Sequence, residues 1–417
     1  MPASHADPAL IDSPQALQRL LTTLGLVVLG NSSMYVVSVV LPAVQNEFGI
    51  GRASASLPYT LMMVCLGLGG LLTGKLADRH GLMPVLWLGA LAVLGGFMGA
   101  ALSGSIWAFG LAHAAMGLLG SAATFAPLMA DTALWWNRRR GIAVAVCASG
   151  NYVAGAIWPP IVQYGIDTIG WRPTYMALGM VCGAGMFALS LRMRQRPPAV
   201  QASEVGAATV APDRTRPFGL PSNHAMALLC LAGVACCVAM AMPQVHIVAY
   251  CTDLGFGAAQ GARMLSLMLA CGIVSRLVFG LVCDRIGGVR TLLLGSALQG
   301  IALVLFLPFD GLVPLYVISA LFGLFQGGIV PTYAIIVREY FPLQQAGLRV
   351  GAVIMATLVG MALGGWLSGW IFDVTGSYRA AFVNGIGWNL LNFSIVGWLY
   401  LRVRAVRAPS VASTGSA

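Results

Sequence analysis

Gly74-Lys75-Leu76-Ala77-Asp78-Arg79-His80-Gly81 returns 206 residues later as Gly280-Leu281-Val282-Cys283-Asp284-Arg285-Ile286-Gly287. Each copy closes one apolar run and leads into the next. Gly141 and Gly347 keep the same offset, as do Asp167 and Asp373, and Gly170 and Gly376, while Gly170-Trp171-Arg172 is echoed by Tyr378-Arg379 at 207. The chain is therefore one plan written twice. Outward from these anchors, apolar runs fall near residues 20–44, 55–76, 82–103, 106–133, 141–166 and 173–192 in the first half. In the second they fall near 225–250, 260–282, 289–309, 312–337, 347–372 and 379–402. A membrane-spanning helix needs about 20 such residues. The pattern predicts an all-α membrane protein, with twelve transmembrane helices in two pseudo-symmetric six-helix bundles and a binding site where the bundles meet.

Composition agrees. Hydrophobic residues make up 58% of the 417 and charged residues 9%, where a soluble domain carries about 25% charged residues. Lipid is the solvent. The first run, Leu20 to Val44, is too long for a signal-peptide core and has no small-residue cleavage site, so it is expected to stay as a span. Arg192 to Asn223 is rich in Arg, Pro, Ser and Ala and reads as a linker. The expected organisation is a tail at 1–19, one bundle at 20–192, a linker at 193–223, a second bundle at 224–404 and a tail at 405–417.

The net charge of +10 raises the question of nucleic acid, and the placement of the basic residues answers it. With the N-terminus inside, one side holds Arg19, Lys75, Arg79, Arg138 to Arg140, Arg192, Arg194, Arg196, Arg214, Arg216, Arg285, Arg290, Arg338, Arg349, Arg402, Arg404 and Arg407; the other holds only Arg52, Arg172, Arg263 and Arg379. This is a positive-inside pattern. It predicts both termini in the cytoplasm, a multi-pass protein of a cell inner membrane, the bilayer as partner and no nucleic acid. The nine cysteines have no zinc spacing, so neither metal nor cofactor is expected. Trp135 and Trp136, beside an arginine run, read as an interfacial belt.

One basic residue is left over. Arg276 lies eight positions before Asp284, about 12 Å up its helix and near the middle of a hydrocarbon core about 30 Å thick. An arginine there costs at least ~2.5 kcal/mol unless it is paired or hydrated. One turn to either side stand Gly272 and Gly280, so its own helix supplies no acid. Arg276 is either a static partner for an acid on another helix or a planar fork facing a wet cavity, ready for a carboxylate.

The Gly74–Gly81 segment and its degenerate copy resemble the signature of the major facilitator superfamily, over roughly residues 20–404. Trp135-Trp136-Asn137-Arg138-Arg139-Arg140-Gly141-Ile142-Ala143, running on to Asn151-Tyr152, is similar to the stretch entering span 5 in the monocarboxylate transporter and oxalate:formate antiporter branch. Ser275-Arg276 to Asp284-Arg285 is similar to span 8 of that branch. The resemblance implies that Arg276 binds a substrate carboxylate. Two departures stand out: the animal carriers have an aspartate where this chain has Gly272, and the oxalate carrier has a span 11 lysine where this chain has neutral residues around Thr357. Both point to a bacterial monocarboxylate-type carrier.

Around Arg276 the expected substrate residues are His246, which follows Pro243-Gln244 in span 7, Asn151 and Tyr152 in span 5, Asn31 and Tyr35 in span 1, Gln326 in span 10 and Thr357 in span 11. Each is a polar residue in an apolar run, where helix–helix bonding is the competing use. A second set is conformational: Gly74, Asp78, Arg79, Gly81 and Asp131, loosely repeated by Asp284, Arg285 and Glu339. The resemblance implies that Arg79 reaches Asp131 and that Asp78 meets a helix N-terminus of the other half, where the dipole and free amides favour an anion. The expected protein is a monomeric secondary transporter of small organic anions, most of all monocarboxylates, by alternating access with a proton as coupling ion. An anion exchanger or an exporter of an acidic metabolite is the alternative. An intramembrane enzyme is disfavoured, since no acid/base pair or metal-ligand spacing lies at depth.

Overall fold

A computed structural model describes residues 10–195, 216–342 and 345–407. Most of the linker expected at 193–223, all of 1–9 and most of the tail at 405–417 lie outside the described residues. Fifteen α-helices follow in order. The first half has α1 (Pro14–Gly30), α2 (Ser32–Phe48), α3 (Arg52–His80), α4 (Leu82–Ala101), α5 (Ile106–Ala115), α6 (Ala126–Trp135), α7 (Arg140–Ile169) and α8 (Trp171–Ser190). The second has α9 (Ser222–Asp253), α10 (Ala258–Ile286), α11 (Gly288–Leu305), α12 (Leu312–Gln326), α13 (Ile329–Tyr340), α14 (Ala346–Thr375) and α15 (Tyr378–Arg407).

Three pairs, α1–α2, α5–α6 and α12–α13, are single membrane crossings with a break inside. Counted so, eleven crossings are long and apolar enough to span a bilayer. Helix α15 has 30 residues but stands outside those eleven, diluted by Asn384, Asn389 and Asn392. The protein is an all-helical, multi-pass membrane protein.

Helices overrun their apolar runs because hydropathy sees only the stretch in hydrocarbon, whereas a helix continues until its backbone is stopped. Helix α1 begins at Pro14, inside the segment expected to be a tail. Ser13 Oγ accepts the Ala16 N–H there at 3.2 Å, a side-chain N-cap. The stops explain the repeat. Gly81 and Gly287 both have φ of 83°, and Gly170 and Gly376 have 85° and 67°. This left-handed region is open to glycine without a Cβ clash, so the duplicated glycines are duplicated helix ends.

Between the halves, α3 lies along α14 and α7 along α10. The α3/α14 contact is tight at the end away from the arginine-rich segments. Asp373 accepts the backbone N–H groups of Arg52 and Ala53 at 2.7 and 2.8 Å, and Thr60 Oγ1 donates to the Ala362 carbonyl at 3.0 Å. Toward the arginine-rich end, Gly70 and Gly74 on α3 and Gly347 and Gly351 on α14 have open space around them, as do Gly141 and Gly280 on the other pair. The hydrogen bonds between α3 and α14 thus lie toward one end of the crossing.

Candidate functional site

Arg276 on α10 is half-buried where α7, α10 and the α12–α13 break converge. Its Nη1 donates to the Ala148 carbonyl of α7 at 2.6 Å and its Nε, at a long 3.4 Å, to the Gly327 carbonyl. The guanidinium carbon lies 4.3 Å from the centre of the Tyr152 ring, within cation–π range. Among the described residues no carboxylate lies within 4.0 Å of it; the ion pairs found are Arg19–Asp131, Arg52–Asp253 and Arg172–Glu47. The static-pair alternative is therefore absent among these residues.

Glycines make this arrangement possible. A Cβ on Gly272 would sit 2.8 Å from Cε1 of Tyr152, and one on Gly327 would sit 2.3 Å from the Gly272 carbonyl oxygen. The Tyr152 ring thus occupies the room that a side chain at 272 would need, which accounts physically for the missing aspartate. A Cβ on Gly155 would meet the Tyr35 ring at 2.9 Å. The Tyr35 hydroxyl in turn has Tyr152, Tyr59, Asn151 and Arg276 around it. Gln326, next to Gly327, accepts from Gln244 Nε2 at 2.8 Å. Its own Nε2 is buried with no partner, as are Asn151 Oδ1 and Tyr59 Oη. Buried polar atoms are normally satisfied, and these lie on spans of both halves. The structure so gathers Arg276, Tyr152, Asn151, Tyr35 and Gln326, and adds Gln244 and Tyr59.

Three expected substrate residues go elsewhere. His246 is fully buried, with Nδ1 3.2 Å from the Tyr378 hydroxyl and Nε2 2.8 Å from the Gly365 carbonyl; both nitrogens are engaged away from Arg276. Asn31 holds the break between α1 and α2, donating to the Val27 carbonyl at 3.0 Å and to Thr124 Oγ1 at 3.4 Å. Thr357 bonds its own helix at Ile354 and packs against Gly233.

The conformational set is also rearranged. Asp131 is gripped by Arg19, not Arg79, through two bonds of 2.8 and 2.9 Å. Trp135 is 1% exposed, with Arg19 4.5 Å from its ring centre, so it is core and no interfacial belt. Asp78 and Arg79 are exposed and make no side-chain hydrogen bond or ion pair to the described residues. Glu339 accepts the Gly288 N–H that opens α11, at 3.2 Å, instead of meeting Arg285, which is exposed along with Asp284. Arg52, Asp253, Asp373 and Tyr378, which join the halves at the far end, were not singled out for this. Their signal was rarity: few charges lie on the side poor in arginine.

The Major Facilitator Superfamily model matches residues 22–312 and 227–416. Monocarboxylate transporter 13 of Rattus norvegicus is 26% identical over 324 residues, covering 76% of this chain and 72% of that protein. Monocarboxylate transporter 12 of Mus musculus is 27% identical over 353 residues, covering 78% and 72%. An MFS-type transporter of the fungus Ophiocordyceps is 24% identical, covering 81% and 74%. These relatives are vertebrate and fungal, so the bacterial placement is not borne out. Among solved structures, the peptide transporter POT superposes with a TM-score of 0.74 at 12% identity, over 93% of this chain and 95% of that one. A bacterial homologue of the lysosomal transporter Spinster, inward-facing and unoccupied, gives 0.68 at 14%, over 94% and 96%. The chain belongs to the major facilitator superfamily and is a membrane transporter, not an enzyme.

Proposed function

We propose that this transporter carries small organic anions, monocarboxylates above all, by alternating access and with a proton as coupling ion. The observation that carries the reading is Arg276: a guanidinium at mid-membrane depth, held by two carbonyls and an aromatic ring, with no carboxylate within reach among the described residues. Such a charge in a low-dielectric site is stabilised by an anion brought to it. The names of the vertebrate relatives favour the same class. The neutral surroundings of Arg276 suit one negative charge better than two.

In this reading α15, which packs on α9 and α11, is the twelfth span, and residues 20–192 and 224–404 are two six-helix bundles. The arginine-rich end is cytoplasmic, the membrane is a cell inner membrane, and the carrier works as a monomer. The state described is then closed outside and open inside. Asp78 and Arg79 would engage when the cytoplasmic end closes. Reconstitution tests the function: with an imposed pH gradient, acid outside, proteoliposomes should take up a labelled short-chain monocarboxylate faster than protein-free liposomes under the same gradient, and faster than the same proteoliposomes without it. No flux for any member of a monocarboxylate panel would contradict it.

A further inference from the structure

At the outer end the halves are joined through the start of one helix. Helix α3 opens at Arg52, whose backbone N–H and that of Ala53 both point at the Asp373 carboxylate, each with its own oxygen. A carboxylate here satisfies two amides that no helix turn can satisfy and meets the positive end of the helix dipole. Asp373 belongs to the far end of α14, so the cap is supplied by the other half of the chain. The Arg52 side chain, 9% exposed, reinforces it: Nη2 lies 2.6 Å from Asp253 Oδ1, Nη1 donates to the Tyr378 hydroxyl at 3.0 Å, and the guanidinium lies 4.9 Å from the Phe372 ring centre. All these partners also lie in the second half.

The same two helices carry the signature acid. Helix α3 runs 29 residues from Arg52 to His80 and α14 runs 30 from Ala346 to Thr375, in opposite senses. Each ends near an aspartate, Asp78 on α3 and Asp373 on α14. Here Asp373 caps the start of α3, while Asp78 is exposed and Gly347, in the first turn of α14, has open space around it. We propose that Asp373 is the outer lock of the transport cycle, the counterpart of Asp78, so that α3 and α14 hold each other alternately by one end or the other. Only one of the two caps is made at a time, because rocking the halves together at one end parts them at the other. The proposal rests on alternating access but not on the carboxylate reading.

The test needs no substrate. In a background with the native cysteines replaced, Gly104→Cys and Phe309→Cys place spin labels at exposed outer positions of the two halves, and their distance distribution is measured. The parent should be mainly short. Asp373→Asn, which removes the charge and one of the two acceptor oxygens, should raise the ratio of long to short distances about fivefold, the scale of a carboxylate's interaction with a helix N-terminus. Gly51→Ala offers a second route that leaves every charge in place, because its Cβ would come within 2.7 Å of Asp373 Oδ2 and push the carboxylate off the helix start; it should open the outer end likewise. Asp78→Asn should not lengthen the outer distance. A merely structural role for Asp373 would lower the melting temperature without moving the distances. An unchanged distribution in folded Asp373→Asn, or in Gly51→Ala should the first variant not fold, overturns the lock. So does opening by Asp78→Asn as large as that by Asp373→Asn.

Discussion

The α3/α14 and α7/α10 crossings occupy corresponding places in the sequence repeat, and they have been put to different uses. The first is closed at its outer end by Asp373. Its counterpart at the 206-residue offset, Asp167, accepts from Gln163 on its own helix at 2.8 Å and caps nothing on α10. The offset also brings Gly70 into register with Arg276. Gly70 has open space around it, whereas Arg276 is pinned between carbonyls and a tyrosine ring. In the readings proposed above, a duplicated pair of helix crossings has diverged into a lock and a binding site. Glycines allow close approach in both; the charged residues decide which task each takes.

The difference between contacts inside a half and contacts between halves predicts the largest effect. Arg19 and Asp131 are both buried, 7% and 8% exposed, and both lie in the first half. Arg19→Ala leaves a buried carboxylate unpaired and should cost about 3–5 kcal/mol of stability, seen as a large fall in melting temperature. It should leave the outer-end distance unchanged, since nothing between the halves is touched. A variant as stable as the parent would remove the distinction between fold contacts and switch contacts.

Gly272→Asp sharpens the contrast within α7/α10. A side chain there must displace Tyr152 from the guanidinium and sets a carboxylate beside the site, so affinity for a monocarboxylate should fall about tenfold, equivalent to about 1.4 kcal/mol. Gly280→Ala, one turn beyond Arg276 and in open space, adds no charge and should leave affinity nearly unchanged. Titration by isothermal calorimetry separates the two; equal losses would mean that the Tyr152 contact has no part in binding.

Asp78→Asn should have the smallest effect on the molecule at rest. The carboxylate is exposed and has no partner among the described residues, so the melting temperature should move by what about 0.5 kcal/mol produces at most. Transport should nevertheless be impaired, with substrate affinity within about threefold, because Asp78 acts on the conformational equilibrium. Normal transport by this variant would break its pairing with Asp373.

Much of the frame was legible in the sequence. Periodic apolar runs and duplicated glycines gave the helices and their ends, because hydrophobic length and positive φ are local demands. Arg276 was legible for the same reason: a lone charge in an apolar run needs an explanation wherever its neighbours lie. Partners were not legible. Asp131 could be met by either Arg19 or Arg79, and only packing brings Arg19 to it over Trp135. His246 had the right depth but faces Gly365 and Tyr378, an orientation fixed by how α9 is rotated against α14 and α15. The cap that Asp373 places on α3 was not legible either, because Asp373 looks like an ordinary helix end until the start of α3 is set against it.

Whether Arg276 binds an anion or serves the fold is decided by the melting temperature of purified Arg276→Ala and Arg276→Lys, with and without a monocarboxylate that stabilises the parent protein. If Arg276 binds the anion, Arg276→Ala folds, melts at or above the parent temperature because a mid-membrane charge without a counter-charge is gone, and shows no ligand-induced shift. Arg276→Lys, which keeps the charge but loses the planar fork, should show a much reduced shift. A folded Arg276→Ala protein stabilised by the acid as strongly as the parent would contradict anion binding by Arg276.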